Sequence, residues 1–253
     1  MTAQLIAGAS VTGLVLGGLL DPLGQRLAER SVDEQHRRDE AAGGLSAASS
    51  ADDSAQPPRF LPVGVSPVRT AVAAVVTGIL AAGGANRFGA HLVLVPFTIF
   101  FGVLVVVSTI DLTHGLIPRR LVYPGLAAVS GLLVVVAAVD GQWHRLATAG
   151  IGAVAAFAVL FIIWWLAPRG IGFGDVRLSA LIGLSTGWIG LLDVYVAIVS
   201  GFIFGLLGGV ATTLLRGTGR RTRIPFAPAL AAGAIVAVLW GAPIVQAVFH
   251  RPV

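Results

Sequence analysis

Two isolated aspartates are the residues of this chain whose type and position point to chemistry. The sequence has 12 acidic residues, and eight of them lie between residues 21 and 53. The other four are Asp111, Asp140, Asp175 and Asp193. Asp140 and Asp193 are expected in solvated loops, whereas Asp111 directly follows one apolar run and Asp175 directly precedes another. An ionisable residue at the end of an apolar helix, facing the interior, is a functional candidate.

A pair of carboxylates can hydrolyse a peptide bond without a metal ion or a covalent intermediate. Two carboxylates within hydrogen-bonding range share one proton, so that one acts as a base toward water while the other donates a proton. Two membrane crossings between Asp111 and Asp175 would return the chain to the same side. Each residue alone also has a structural explanation: Asp111 could pair with Arg119 or Arg120, and Asp175 could cap a helix.

The composition identifies the elements that must hold these aspartates as membrane helices. Hydrophobic residues make up 56% of the 253 residues, charged residues only 11%, and the mean hydropathy is +0.88. A soluble domain carries about 25% charged residues, and runs of about 20 apolar residues are long enough to span a bilayer. We therefore predict an all-α, polytopic membrane bundle of about eight helices. The predicted spans are 3–20, 66–84, 91–110, 121–139, 146–166, 176–192, 194–215 and 226–248.

Charge placement predicts the orientation of these helices. All 17 basic residues are arginine. Fourteen of them lie in the segments 21–69, 111–120, 167–178 and 216–224, and three lie in the alternate set. Because cytoplasmic loops carry the excess of basic residues, the first set is predicted to be cytoplasmic, with both termini outside. The same pattern explains the net charge of +5 without nucleic acid as a partner, and membrane lipids are the expected surroundings.

Three segments divide the chain. Residues 1–27 are predicted to form the first transmembrane helix and its basic exit, and residues 66–253 the transmembrane core. Residues 28–65 between them are rich in Ala, Ser, Gly, Pro and charge, which predicts a flexible cytoplasmic linker. Glycines spaced four apart, which allow helices to approach closely, are expected to serve packing; they are Gly13 and Gly17, Gly183 and Gly187, and Gly201, Gly205 and Gly209.

The segment before Asp175 is rich in glycine. Gly170, Gly172 and Gly174 give a backbone that can bend sharply and that another segment can approach closely. Irregular backbone at membrane depth is tolerated only where protein or a water-filled cavity covers it. We therefore expect Gly172 and Gly174 to place Asp175 and to admit an extended substrate.

Four stretches in order resemble the type IV prepilin peptidases, leader peptidases of the GxGD class of intramembrane aspartyl proteases. The first runs from Gly13 to Leu27, and the second, IDLTHGLIPRRL, holds Asp111 and Pro118. The third, GFGDVRL, holds Gly172, Gly174 and Asp175 and has Arg177 where the family usually has lysine. The fourth is IPFAPALAAG from Ile224. The resemblance implies that Asp111 and Asp175 are the catalytic pair, that prepilins or pseudopilins are the substrates, and that cleavage occurs at the cytoplasmic face of the inner membrane.

The chain departs from many members of that family in its cytoplasmic loop. Those members carry two cysteine pairs that bind zinc there, and this chain has no cysteine, so no zinc is expected. Cleavage itself is expected to require no cofactor. Many members also methylate the new N-terminus with S-adenosylmethionine, and the sequence leaves that activity open. His114, three positions after Asp111, could tune its charge or could be an ordinary loop histidine near the headgroups.

Three alternatives stay open. A presenilin-like or signal-peptide-peptidase-like protease also uses GxGD and a Pro-Ala-Leu segment, here from Pro228, although no tyrosine precedes Asp111. A proton or cation transporter would need ionisable groups through the depth of the membrane, whereas the predicted ones stop at one side. A catalytically inactive scaffold of pilus assembly would share the same helices.

Overall fold

The computed structural model describes residues 6–24, 26, 67–89, 91–167, 170–216 and 225–249. The predicted linker, residues 28–65, lies outside the described residues. Those described form eight helices, which confirms the predicted all-α bundle. In chain order they are α1 (Ile6–Gly24), α2 (Pro67–Phe88), α3 (Leu94–His114), α4 (Arg119–Asp140), α5 (Trp143–Leu166), α6 (Phe173–Ile189), α7 (Leu191–Arg216) and α8 (Ala227–Phe249).

Seven of the eight helices, all except α6, are long and apolar enough to cross a membrane. The 17 residues of α6 would extend only about 26 Å at 1.5 Å per residue, less than the roughly 30 Å of hydrocarbon. Its middle is nevertheless buried against neighbouring helices on most sides, from Val176 to Trp188. The helix therefore lies largely in the interior of the bundle.

Glycine stripes bring neighbouring helices together, as the four-residue spacing predicted. A Cβ atom on Gly152 of α5 would lie 3.0 Å from the Cα of Gly187 in α6. One on Gly13 of α1 would lie 2.8 Å from the Cα of Gly78 in α2. One on Gly201 of α7 would meet the backbone of α8 at 3.2 Å. Each distance is shorter than about nine in ten contacts of real Cβ atoms, so these backbones pack in direct contact.

Helix α3 is the centre of the bundle and contacts α2, α4, α6 and α8. Two thirds of its most apolar 18-residue window is buried, and the aromatic rings of Phe97, Phe100 and Phe101 fill the interior near its start. Ile110, near its other end, is also fully buried. A helix that is apolar on all sides can lie inside the bundle, and this one carries Asp111 in its last turn.

Candidate active site

Three helix ends meet around the two candidate aspartates. Asp111 lies in the last turn of α3 and Asp175 in the first turn of α6, each with only 6% of its surface exposed. The prediction that α3 ends at residue 110 and that α6 begins at residue 176 was therefore wrong. Both helices continue through their aspartate, which fixes each carboxylate on a regular backbone. We call this end of the bundle the aspartate end.

The start of α8 supplies a hydrogen bond to Asp111. The backbone N–H of Ala227, the first residue of α8, donates to Asp111 Oδ2 at 3.0 Å. The first N–H groups of a helix have no partner within that helix, and they form the positive end of its dipole. A carboxylate is a suitable partner for such a group. The bond joins residues 116 positions apart and so holds the α3 end against the α8 start.

A glycine ends the last turn of α3, the turn that contains Asp111. Gly115 has φ +61°, in the left-handed region, and its N–H donates to the backbone carbonyl of Asp111 at 2.8 Å. Glycine is the usual residue for this helix ending because it has no Cβ to clash. The last turn of α3, including Asp111, is therefore closed on its own backbone before the chain turns into α4.

Asp175 is held by the start of its own helix. Its Oδ2 accepts a hydrogen bond from the backbone N–H of Gly172 at 3.1 Å, and its backbone N–H donates to the carbonyl of Gly172 at 3.0 Å. This is the side-chain half of a capping box, with Asp175 as the third helical residue after Gly172. The helix-capping role considered for Asp175 from the sequence is thus present, although the N-cap residue is Gly172 and not Asp175. The bonds also fix the orientation of its carboxylate.

The glycines before Asp175 provide space rather than unusual backbone angles. Gly172 has φ −75° and ψ 145°, which other residues adopt readily. A Cβ atom on Gly174, however, would lie 2.7 Å from the Cβ of Ile117 in the turn between α3 and α4. Gly174 therefore lets the start of α6 lie directly against that turn, six residues beyond Asp111. This contact brings the segments of the two aspartates to one place.

Two other predicted residues flank this contact. Pro118 is buried and precedes the first helical residue of α4, with φ −66°. Proline fixes this angle, so the exit of the α3–α4 turn is rigid. His114 is partly buried, and its Nδ1 lies 2.8 Å from the hydroxyl of Thr113.

The expectation that Asp193 is a solvated loop residue was wrong. Asp193 lies in the first turn of α7, at the end of the bundle opposite the aspartate end, and only 8% of it is exposed. Its carboxylate is accommodated by two glycines, because a Cβ on Gly190 or Gly241 would collide with its oxygens. Arg87 at the end of α2 is close enough to attract it. Asp140 is exposed, as expected, but it is the last residue of α4 and not part of a loop.

A further buried acid at the aspartate end was not singled out by the sequence. Asp21, in the last turns of α1, is fully buried, and its Oδ2 accepts a hydrogen bond from the hydroxyl of Thr70 in α2 at 2.9 Å. Gly24, one turn on, packs against Ile110, the residue before Asp111. Its position among eight acids between residues 21 and 53 hid Asp21 from an argument based on scarcity.

The donor set at this end is one of carboxylates and backbone amides. Among the described residues, no group of three or more His, Asp or Glu side chains is arranged to hold a metal ion. The site as described thus offers two buried carboxylates, each bonded to the N–H of a helix start. Such a pair can activate water and donate a proton if it shares one proton.

Known proteins with similar sequences agree on one family. The profile described as the type IV leader peptidase family matches residues 98–214, a stretch that contains both aspartates. The prepilin leader peptidase/N-methyltransferase of Bacillus subtilis (strain 168) is 34% identical over 177 residues, which is 69% of this chain and 67% of that protein.

Further relatives bear the same name. That of Pseudomonas putida is 36% identical over 163 residues, 61% of this chain and 53% of its own. That of Burkholderia pseudomallei (strain 1026b) is 36% identical over 174 residues, 66% of this chain and 53% of its own. This chain thus spans between about half and two thirds of the length of these relatives. No solved structure gives a significant match. The chain belongs to the type IV leader peptidase family.

Proposed function

We propose that this chain is a membrane-embedded aspartyl endopeptidase that removes the leader peptides of prepilins or pseudopilins, with Asp111 and Asp175 as its catalytic pair. The observation that carries the proposal is the meeting of three helix ends, which buries both carboxylates at one end of the bundle. Gly174 lies against Ile117, and the α8 start is bonded to Asp111. Family membership supplies the class of reaction.

The two aspartates share the roles of base and acid. One carboxylate takes a proton from water, which attacks the scissile carbonyl, and the other, protonated, gives its proton to the leaving amine. Both carboxylates are mostly removed from solvent, and each is oriented by a backbone N–H. Burial strengthens electrostatic interactions at the reacting atoms. We propose that cleavage requires neither a metal ion nor another cofactor; N-methylation is not part of this proposal.

The substrate must present an extended segment to this pair. In a helix the peptide carbonyls are engaged in hydrogen bonds, so a substrate helix has to unwind locally before it can be cleaved. A prepilin has a short basic leader before an apolar helix. The bond between these two parts would lie at the membrane surface, next to the aspartate end. The arginine distribution supports a cytoplasmic location for the aspartate end, in the inner membrane, with both termini outside.

Replacement of each aspartate by asparagine tests the catalytic assignment. We expect Asp111→Asn and Asp175→Asn each to reduce cleavage of a prepilin-like peptide at least a thousandfold, because asparagine neither accepts nor donates the required proton. Asp140→Asn, at the exposed far end of α4, is the matched control and should cleave normally. The purified protein in detergent is incubated with the peptide, and the shortened product is measured by mass spectrometry. Full cleavage by either asparagine variant of the pair would refute the assignment.

The transporter hypothesis is tested alongside cleavage because Asp193 is also buried, at the end of the bundle opposite Asp111 and Asp175. Between the two ends, the buried hydroxyls of α6 bond to backbone carbonyls: Ser179 to Val176, Ser185 to Leu181 and Thr186 to Ile182. These three hydroxyl groups are thus bonded within their own helix, and none of them is an ionisable group that could carry a proton. Ion flux into liposomes without cleavage would favour transport over hydrolysis.

A further inference from the structure

A cluster of cations and aromatic rings lies beside the candidate active site but is not part of it. Arg177 follows Asp175 by two residues in α6, a rotation of about 200° around the helix, so the two side chains project from nearly opposite faces. Asp175 is buried, with 6% of its surface exposed. Arg177 lies against α4, with its guanidinium carbon 5.7 Å from the ring centroid of Tyr123.

Aromatic rings hold the Arg177 side chain in place. Its guanidinium carbon lies 4.5 Å from the ring centroid of Phe173, one turn earlier in α6, and that ring in turn packs edge-on against Trp164 of α5 at 4.9 Å. A guanidinium over an aromatic face is attracted to it, and arginine is better suited to this stacking than lysine. The cation is therefore positioned by rings from two helices, and Tyr123 completes the cluster from a third.

The cations of this cluster lack a counter-charge. Arg119, the first residue of α4, lies close enough to Arg177 for the two positive charges to repel each other. Neither of them forms an ion pair with a carboxylate among the residues that the structure describes. The Nε atom of Arg177 is buried and has no hydrogen-bond partner among those residues. Guanidinium groups form strong, often bidentate hydrogen bonds to anions such as phosphate.

The surroundings indicate a phospholipid rather than a soluble anion. Tyr123 is 52% exposed, and at the same end of α5 Trp165 is 69% exposed. In a bundle that spans a membrane, such aromatic side chains lie at the interface between headgroups and acyl chains. Basic pockets between membrane helices on the cytoplasmic side bind lipid headgroups in this way. Arg119 is exposed and Arg177 is partly exposed.

We propose that the phosphate of an anionic phospholipid headgroup binds between α4 and α6, held by Arg177 and Arg119, with Tyr123 against its glycerol region. The bound phosphate would neutralise the repulsion between the two arginines and fix the start of α6 against α4. This site is separate from the proposed peptidase chemistry, and its test does not depend on cleavage.

Lipid binding to the full-length purified protein is the test. The protein in neutral detergent is titrated with phosphatidylglycerol or with phosphatidylcholine, and bound lipid is counted by native mass spectrometry alongside the unfolding temperature. We expect phosphatidylglycerol to bind saturably and to raise the unfolding temperature more than phosphatidylcholine. Arg177→Gln should weaken this binding about tenfold or more, since a charge-assisted, bidentate contact is lost. Arg177→Lys should give an intermediate loss, because it keeps the charge but not the planar guanidinium that can donate two parallel hydrogen bonds.

Two controls separate this site from general charge effects and from misfolding. Arg145→Gln removes an exposed arginine from the far end of α5 and should leave phosphatidylglycerol binding unchanged. Arg119→Gln changes an exposed residue at the start of α4, so it reports on the site even if Arg177→Gln fails to fold. The proposal is overturned if Arg119→Gln binds phosphatidylglycerol like the wild type, if Arg145→Gln is equally impaired, or if inorganic phosphate alone gives the same stabilisation.

Discussion

Gly174 leaves no room for a side chain, and this makes Gly174→Ala the sharpest test of how Asp175 is positioned. The added methyl group would lie 2.7 Å from the Cβ of Ile117, with two further Ile117 atoms at 3.2 and 3.3 Å. The nearest distance is at least about 0.8 Å shorter than an ordinary carbon–carbon contact. Because a Cβ position is set by the backbone, side-chain rotation cannot relieve this contact. The start of α6 or the α3–α4 turn must move.

The size of the two opposing effects determines the expected outcome. Overpacking of this kind costs about 1–3 kcal/mol, whereas replacing glycine by alanine within a helix gains up to about 1 kcal/mol. The net loss of stability is therefore between about 0 and 3 kcal/mol. Activity should suffer more, because a misplacement of about 1 Å can reduce catalysis about a hundredfold. We expect kcat/KM to fall about a hundredfold while the protein remains folded.

The assay measures kcat/KM on a prepilin-like peptide together with the unfolding temperature in detergent. Gly131→Ala in α4 is the matched control, since a Cβ there meets no atom within 4 Å, and it should keep full activity. Ile117→Gly removes the opposing Cβ and should restore part of the activity in the double variant, whereas Ile117→Val keeps that atom and should not. A double-mutant cycle isolates this coupling from the separate cost of each change.

Two results would refute this reasoning. Wild-type kcat/KM in Gly174→Ala would show that the contact with Ile117 does not position Asp175. Equal activity of the double variants with Ile117→Gly and Ile117→Val would show that the loss arises elsewhere than at the opposing Cβ.

Two other contacts give equally direct predictions. Ala227→Pro removes the N–H that bonds Asp111, in a helix position that tolerates proline. Because a hydrogen bond to a charged group is worth about 1.5–3 kcal/mol, this change should lower kcat/KM about 10- to 100-fold. Pro228→Ala, the control, should retain activity. Equal activities of these two variants would contradict the role of the N–H. Gly241→Ala places a methyl group on the Asp193 carboxylate and should cost about 1–3 kcal/mol of stability, seen as a lower unfolding temperature. Asp193→Ala in the same chain should recover part of that loss, and an unchanged unfolding temperature in Gly241→Ala would show that the contact is absent.

Local sequence predicted much of this architecture because hydropathy is a property of each segment by itself. Runs of apolar residues predicted the helices, and the four-residue glycine spacing predicted where backbones meet, as at Gly13 and Gly187. The scarcity of acids after residue 53, together with their places at the ends of apolar runs, was what singled out Asp111 and Asp175 as candidates. Each of these inferences needs only the types of residues and their positions along the chain.

The same logic failed where a helix ends. Asp111 was expected just after α3 and Asp175 just before α6, but both lie within a terminal turn. At Asp111 the turn is closed by Gly115 in a left-handed conformation, and at Asp175 the carboxylate itself bonds the N–H of Gly172. A charged residue lowers local hydropathy and so shortens a predicted apolar span, although its backbone continues the helix.

What the sequence by itself determined is the class of the protein, its apolar helices and the two acids that are candidates for chemistry. Tertiary structure alone decided what surrounds those acids. The N–H that bonds Asp111 comes from Ala227, 116 residues away, and a backbone amide carries no side-chain signal. Asp193 is buried because Gly241, 48 residues later, leaves space for its carboxylate. The physical reason is common to both: such contacts depend on how helices distant in the chain pack together, which segment composition does not record.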